Sequence, residues 1–150
     1  MPVFEHLTNL PHQPSVVFDF LLQPANLPRV MPPEFQFSLI EGPDRLSLGA
    51  KIIVLTRRWG YSQRITSEVT ALEPDQLLED IQRDGPFKKW EHRHILERTP
   101  EGTRMTDRIE FQPPGGLIGM LLKESTIVAE LEEVFAYRDQ QFQVLLGKKS

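Results

Sequence analysis

From residue 117 to residue 146 the chain runs without a proline. Within that stretch Leu117, Leu121, Val128, Leu131, Phe135, Phe142 and Leu145 recur at the 3.6-residue spacing of a helix with one buried face. One continuous helix of this length would reach roughly 45 Å at about 1.5 Å per residue. A helix that long needs a broad apolar surface to cover, and the preceding residues must supply it.

Those residues read as short strands. Residues 34–40 alternate Phe35, Phe37 and Leu39 with polar neighbours, and residues 42–49 form a turn. Residues 50–59 and 61–72 are two longer strands meeting at Gly60. Glu73, Pro74 and Asp75 make the next turn, and residues 76–83 a weaker strand closed by Asp84, Gly85 and Pro86. Residues 88–98 and 103–112 form a hairpin around 99–102. Runs of strand length separated by Gly, Pro and Asp turns predict an antiparallel meander. Pro113, Pro114, Gly115 and Gly116 end it. Seven of the 13 prolines fall in the first 33 residues. They bracket a strand at 2–7 and two short helices at 14–22 and 25–30. The predicted class is α+β: a seven-stranded antiparallel sheet, two short helices and one long C-terminal helix.

With 150 residues, the chain is expected to form a single domain over 1–150. Its 17 basic and 21 acidic residues give a net charge of −4, against the concentrated positive charge that nonspecific nucleic-acid binding needs. No uncharged run approaches the roughly 20 apolar residues of a membrane span, and no basic segment leads into an apolar one as in a signal peptide. The absence of cysteine excludes disulfides, thiolate nucleophiles and zinc fingers, and is compatible with the expected cytoplasmic location. Sequence leaves the oligomeric state open.

The hairpin register can be read directly. If Arg98 pairs with Thr103, then Leu96 faces Met105, His94 faces Asp107, His92 faces Ile109 and Trp90 faces Phe111. The other face carries Glu91, Arg93, Glu97, Arg104, Arg108 and Glu110, with Glu91–Arg108 and Arg93–Glu110 as offsetting diagonals. A one-residue slip would turn the charges inward. A two-residue turn at Trp59 and Gly60 likewise puts Ile52, Val54, Thr56, Gln63, Ile65, Ser67 and Val69 on one face.

Several segments carry a family likeness: residues 18–32 with Asn26 and Leu27; Gly85, Pro86 and Phe87 with Trp90, His92 and His94; Gly102 and Thr103; Asp107; residues 113–116; and Phe135 with Tyr137 and Arg138. Together with the element order they resemble the helix-grip fold of the START/birch-pollen-allergen superfamily (SRPBCC), in its bacterial ligand-binding or polyketide cyclase-like branch. The resemblance implies a long helix across a curved sheet, with a hydrophobic cavity between them. It also favours Leu78, Asp80 and Gln82 facing inward. The expected lining is Phe37, Trp59, Gln63, Phe87, Trp90, His92, His94, Met105 and Phe111, with Leu121, Val128, Leu131 and Phe135 from the helix. The expected partner is a small hydrophobic molecule such as a lipid, polyketide or aromatic metabolite, carried or sensed.

Two other uses of the cavity follow from its polar residues. His92 and His94 share a strand face with Asp107 opposite, so a cyclase, dehydratase or isomerase could use them as acid and base. The same three could form a two-His, one-carboxylate metal set, with Asp80 as an outer partner or further ligand. The competing reading is a polar cluster in which Asp107 orients His94. The resemblance implies neither metal nor cofactor, and none is expected. A protein-docking role is the third alternative. Arg138 is expected to pair with a carboxylate near the C-terminal half of the helix, and His6 and His12 to be exposed. Counting alternate connections puts Met31, Trp59, Phe87, Gly115 and Gly116 at one end of the sheet, the expected ligand entrance.

Overall fold

The computed structural model describes residues 2–58 and 61–147, with the side chains of Arg58, Tyr61 and Leu121 excepted. Strand β1 (Val3–Leu10) is followed by helix α1 (Pro14–Leu21) and three 3-10 turns, Pro24–Asn26, Pro28–Val30 and Pro33–Phe35. The meander comprises β2 (Ser38–Glu41), β3 (Lys51–Arg58), β4 (Tyr61–Glu73), β5 (Leu77–Asp84), β6 (Lys89–Thr99) and β7 (Gly102–Gln112). Helices α2 (Gly116–Leu121) and α3 (Glu124–Leu146) complete the chain. All strands join one antiparallel sheet in the order β1-β7-β6-β5-β4-β3-β2.

Three local expectations are corrected. The second short helix, 25–30, is two separate 3-10 turns. Pro24 and Pro28 each open a turn, and a proline inside a longer helix would clash with the preceding turn. The strand expected at 34–40 starts only at Ser38. Gln36 adopts a left-handed conformation, φ 44° and ψ 49°, and caps the Pro33–Phe35 turn. The C-terminal segment is two helices, because Leu122 (ψ 76°) and Lys123 (ψ 160°) are extended. Glycine weakens α2, whereas Glu124 gives α3 an acidic first turn that suits a helix N-terminus. α3 is therefore roughly 35 Å long. It buries Ile127, Leu131, Phe135, Arg138 and Phe142.

The hairpin register agrees with the expected pairing: Trp90↔Phe111, His92↔Ile109, His94↔Asp107, Leu96↔Met105 and Arg98↔Thr103. On the charged face the ion pairs take different routes from the expected diagonals. Lys89 lies 3.0 Å from Glu110 and 3.4 Å from Glu91, and Arg93 reaches Glu79 on β5 at 2.6 Å. Between β4 and β5 the register shifts at Thr66/Ser67 and again at Val69/Ala71. Such bulges bend and twist a sheet, and here they curve its centre around a hollow that α3 spans.

The core is divided. One cluster joins Val17, Phe18, Phe20, Leu96, Met105 and Phe142; the other joins Phe4, Ile109, Phe111, Ile127, Leu131 and Phe135. His12 is also closed in, its Nε2 3.0 Å from the Gly147 carbonyl oxygen. His6 is half-buried, with Nε2 2.8 Å from Asp139. Both histidines thus depart from the expected exposure, because the end of α3 packs beside β1 and the segment after it. Among the described residues no helix is long and apolar enough to cross a membrane.

Candidate functional site

A cavity of about 720 Å³ separates the concave sheet face from α3. β3 and β4 supply Ile52, Val54, Thr56, Gln63, Ile65 and Ser67, which the register places on one face. β5 and β6 add Leu78, Asp80, Gln82, Trp90, His92 and His94. α3 closes the opposite side with Ile127, Leu131, Val134, Phe135 and Arg138. At one end the wall is made by Met31, Phe35, Phe37, Pro86, Phe87 and Ile118. Leu117 and Met120 of α2 are exposed beside it, at 81% and 70%.

Phe37, Gln63, Phe87, Trp90, His92, His94, Leu131 and Phe135 thus face the cavity. Met105 and Phe111 do not. Both are fully buried in the two core clusters, because β7 lies nearer the sheet edge, where α1 and α3 pack directly on it. Val128 packs against the second cluster, and its neighbour Ile127 takes the place on the cavity wall. Trp59 and the side chain of Leu121 lie outside the described residues. Ile127, Val134 and Arg138 were not anticipated as lining. Their spacing is visible once the helix starts at Glu124 rather than Leu117.

Much of the lining's polarity is already committed. Thr56 Oγ1 donates to the Phe35 carbonyl at 2.7 Å, and Gln82 Nε2 to the Phe87 carbonyl at 2.7 Å. These bonds fasten the front wall to the sheet. Asp80, His92, His94 and Arg138 gather on one side, around Asp107. Arg138 crosses from α3 and donates to both Asp107 oxygens, Nη1 to Oδ1 at 2.9 Å and Nη2 to Oδ2. Its guanidinium lies 4.2 Å from the Phe135 ring centre. The carboxylate expected near the C-terminal half of the helix is thus Asp107, supplied by the sheet. Arg138 and Asp107 are both buried.

Asp107 Oδ1 also faces the histidines. It lies 2.8 Å from His92 Nε2 in a hydrogen bond. It lies 2.9 Å from His94 Nδ1, but that nitrogen makes no hydrogen bond: the approach is close and poorly aligned. Asp107 thus engages its diagonal neighbour His92 more directly than its cross-strand partner His94, because Arg138 holds the carboxylate from the helix side. The two imidazoles stack at 4.0 Å and 30°. Asp80 is the cross-strand partner of His92 on β5.

Burial pushes the Asp107 carboxyl up, but Arg138, His94 and the hydrogen bonds from Arg138 and His92 outweigh it and hold the group well below the usual carboxylate range. Burial lowers the His92 imidazole, the neighbouring His94 adds to that, and Asp107 opposes it. Burial raises the Asp80 carboxyl, with His92 as the main opposing charge. Asp80 is half-buried by surface exposure; its accessible part faces the cavity.

Residues 10–126 match the family described as polyketide cyclase/dehydrase and lipid transport. The chain belongs to that family. Hydrophobic-ligand binding is the property its members share at this level. An uncharacterized protein of Mycobacterium tuberculosis is 32% identical over 78 residues, 52% of this chain. The chain covers only 34% of that relative's length. Among solved structures, a protein from Chromobacterium violaceum superimposes with a TM-score of 0.75 at 14% identity, over 95% of each chain. A major latex-like protein from Panax ginseng gives 0.65 at 14% identity, over 93% of this chain and 95% of its own. At such identities the likeness shows the fold, the helix-grip fold of the START/birch-pollen-allergen superfamily.

Proposed function

We propose that the protein carries or senses a small, largely apolar molecule in the cavity between the sheet and α3. The observation that carries this reading is a hollow of about 720 Å³, inside the roughly 300–1,000 Å³ range of small-molecule sites. Its walls are mainly Ile, Val, Leu, Phe and Trp, with a few polar groups on one side. Filling it with an apolar ligand removes that surface from water at about 25 cal/mol per Å², and the polar cluster would orient one oxygen-bearing end. A lipid, a polyketide or an aromatic metabolite fits this chemistry. The chain has no cysteine, which suits the reducing cytoplasm where we place the carrier. Native mass spectrometry of gently purified protein tests the reading. A discrete non-covalent adduct of an organic-extractable compound is expected; uniformly ligand-free protein that also fails to take up apolar compounds would refute it.

A second reading, a proton-transferring enzyme of the cyclase or dehydratase type, is favoured by one observation. His92 and Asp80 border the cavity as adjacent groups whose proton affinities burial shifts towards each other. Such a pair can pass a proton between them and to a bound molecule. Turnover lost in His92→Gln while apolar binding persists would separate this reading from the first.

A further inference from the structure

We propose that Asp80, His92 and His94 bind a divalent transition-metal ion on the cavity wall, with open coordination positions facing the cavity. One ligand atom from each residue can be chosen so that all three lie within 4.8 Å of one another. Ligands about 2.1 Å from zinc sit roughly 3.4 Å apart in a tetrahedron, so side-chain rotations of about an ångström would close the set. Asp80 and His92 are direct cross-strand partners, and His94 follows two residues along β6 on the same face.

The surroundings favour metal ligation over a merely polar patch. A ligating imidazole ordinarily gives its other nitrogen to a carboxylate that fixes the ring. Asp107 Oδ1 occupies that place for His92, 2.8 Å from its Nε2, and lies 2.9 Å from His94 Nδ1, which makes no hydrogen bond to it. The second nitrogen of each ring is not spent in those contacts. Arg138 fastens Asp107 in turn, so the orienting carboxylate is itself rigid. Asp80 has no Lys or Arg partner among the described residues, so a bound cation would be its counter-charge.

Two imidazoles and one carboxylate select zinc, cobalt, iron(II) or nickel rather than calcium or magnesium, which prefer all-oxygen sites. Three protein ligands leave room for water or a ligand oxygen, so the ion would act as a Lewis acid towards a carbonyl end held in the cavity. The site does not depend on the identity of the apolar ligand.

Tag-free protein, stripped with a chelator, is titrated with Co²⁺ and followed by its visible d–d absorption, with Zn²⁺ calorimetry in parallel. The expected result is one ion per chain with a dissociation constant in the micromolar range or tighter. Asp80→Asn and His94→Gln, each confirmed folded by circular dichroism, should weaken binding at least tenfold. His6→Ala, which alters a histidine paired with a different carboxylate, should leave it unchanged. No saturable Co²⁺ spectrum at millimolar ion, or a spectrum unaffected by both cluster variants, would overturn the proposal.

Discussion

Asp107→Asn keeps the shape of the side chain and removes its charge. In the native protein that charge faces the Arg138 guanidinium through two hydrogen bonds, with both residues buried. The variant leaves Arg138 as a buried cation lying over the Phe135 and Phe142 rings, without its carboxylate. Breaking a buried pair from one side costs about 3–5 kcal/mol, a large part of the roughly 5–15 kcal/mol that stabilises a whole domain. With a urea slope of about 2 kcal/mol per molar, the midpoint should fall by roughly 1.5–2.5 M. The difference from the native protein should also depend on pH. The folded Asp107 value lies below the unfolded one, so its contribution is fully present above the unfolded value of about 3.9 and is lost as pH falls through the folded value. The stability gap between native and Asp107→Asn should therefore be flat from about pH 5 to 8 and shrink in acid. The double variant Asp107→Leu/Arg138→Met should recover most of the loss, since apolar replacement of a buried pair is often neutral or better. Equilibrium urea unfolding of all three proteins is the assay. A loss under about 1 kcal/mol for Asp107→Asn, or no recovery in the double variant, would refute the claim that this pair fastens α3 to the sheet.

In metal-free protein, Asp80→Asn should stabilise by about 0.5–2 kcal/mol at pH 7, read as a higher melting temperature. The folded Asp80 value is raised, so its cost begins as pH passes about 3.9 and is complete above the folded value; an unchanged melting temperature at pH 7 would contradict that. His92 should titrate by NMR below the usual value of about 6.5 and move up in His94→Gln, since the neighbouring His94 helps to lower it. Because its folded value is lowered, stability should fall as pH drops from about 6.5 towards that folded value. Hydrogen exchange on adding an apolar ligand should slow around Met31, Phe87, Ile118 and Leu122, the end beside the exposed α2 side chains. Protection confined to residues 42–49 and 99–102 would place the entrance at the other end.

The strand faces were legible because period-2 alternation ties each side chain to a side once one pair is set. Arg98↔Thr103 and Arg58↔Tyr61 are the pairings the sequence implied, and they place His92, His94, Gln63 and Ser67 on the expected face. Facing inward did not distinguish cavity from core. Met105 and Phe111 share the inner face with Trp90 and His94, yet close packing at the β7 side buries them, and alternation carries no information about where the hollow ends. The helix break at Leu122 and Lys123 escaped because absence of proline does not guarantee continuity. The consequence was a one-residue error on α3, Val128 for Ile127. The Arg138–Asp107 pair was hidden for a similar reason. A charged residue on an apolar stripe signals a buried partner, but only the packing of helix on sheet says which carboxylate supplies it.

The central claim is that the hollow is a working binding site. It is tested most directly by titrating the protein with N-phenyl-1-naphthylamine, an apolar dye whose fluorescence rises out of water, and comparing Ser67→Phe. Ser67 faces the cavity from β4, so the added ring should occupy the void without disturbing the outer face. Saturable one-to-one binding to the native protein, reduced at least tenfold in folded Ser67→Phe, is the predicted result. Dye binding that does not saturate, or that is unchanged when the cavity is filled, would contradict the account.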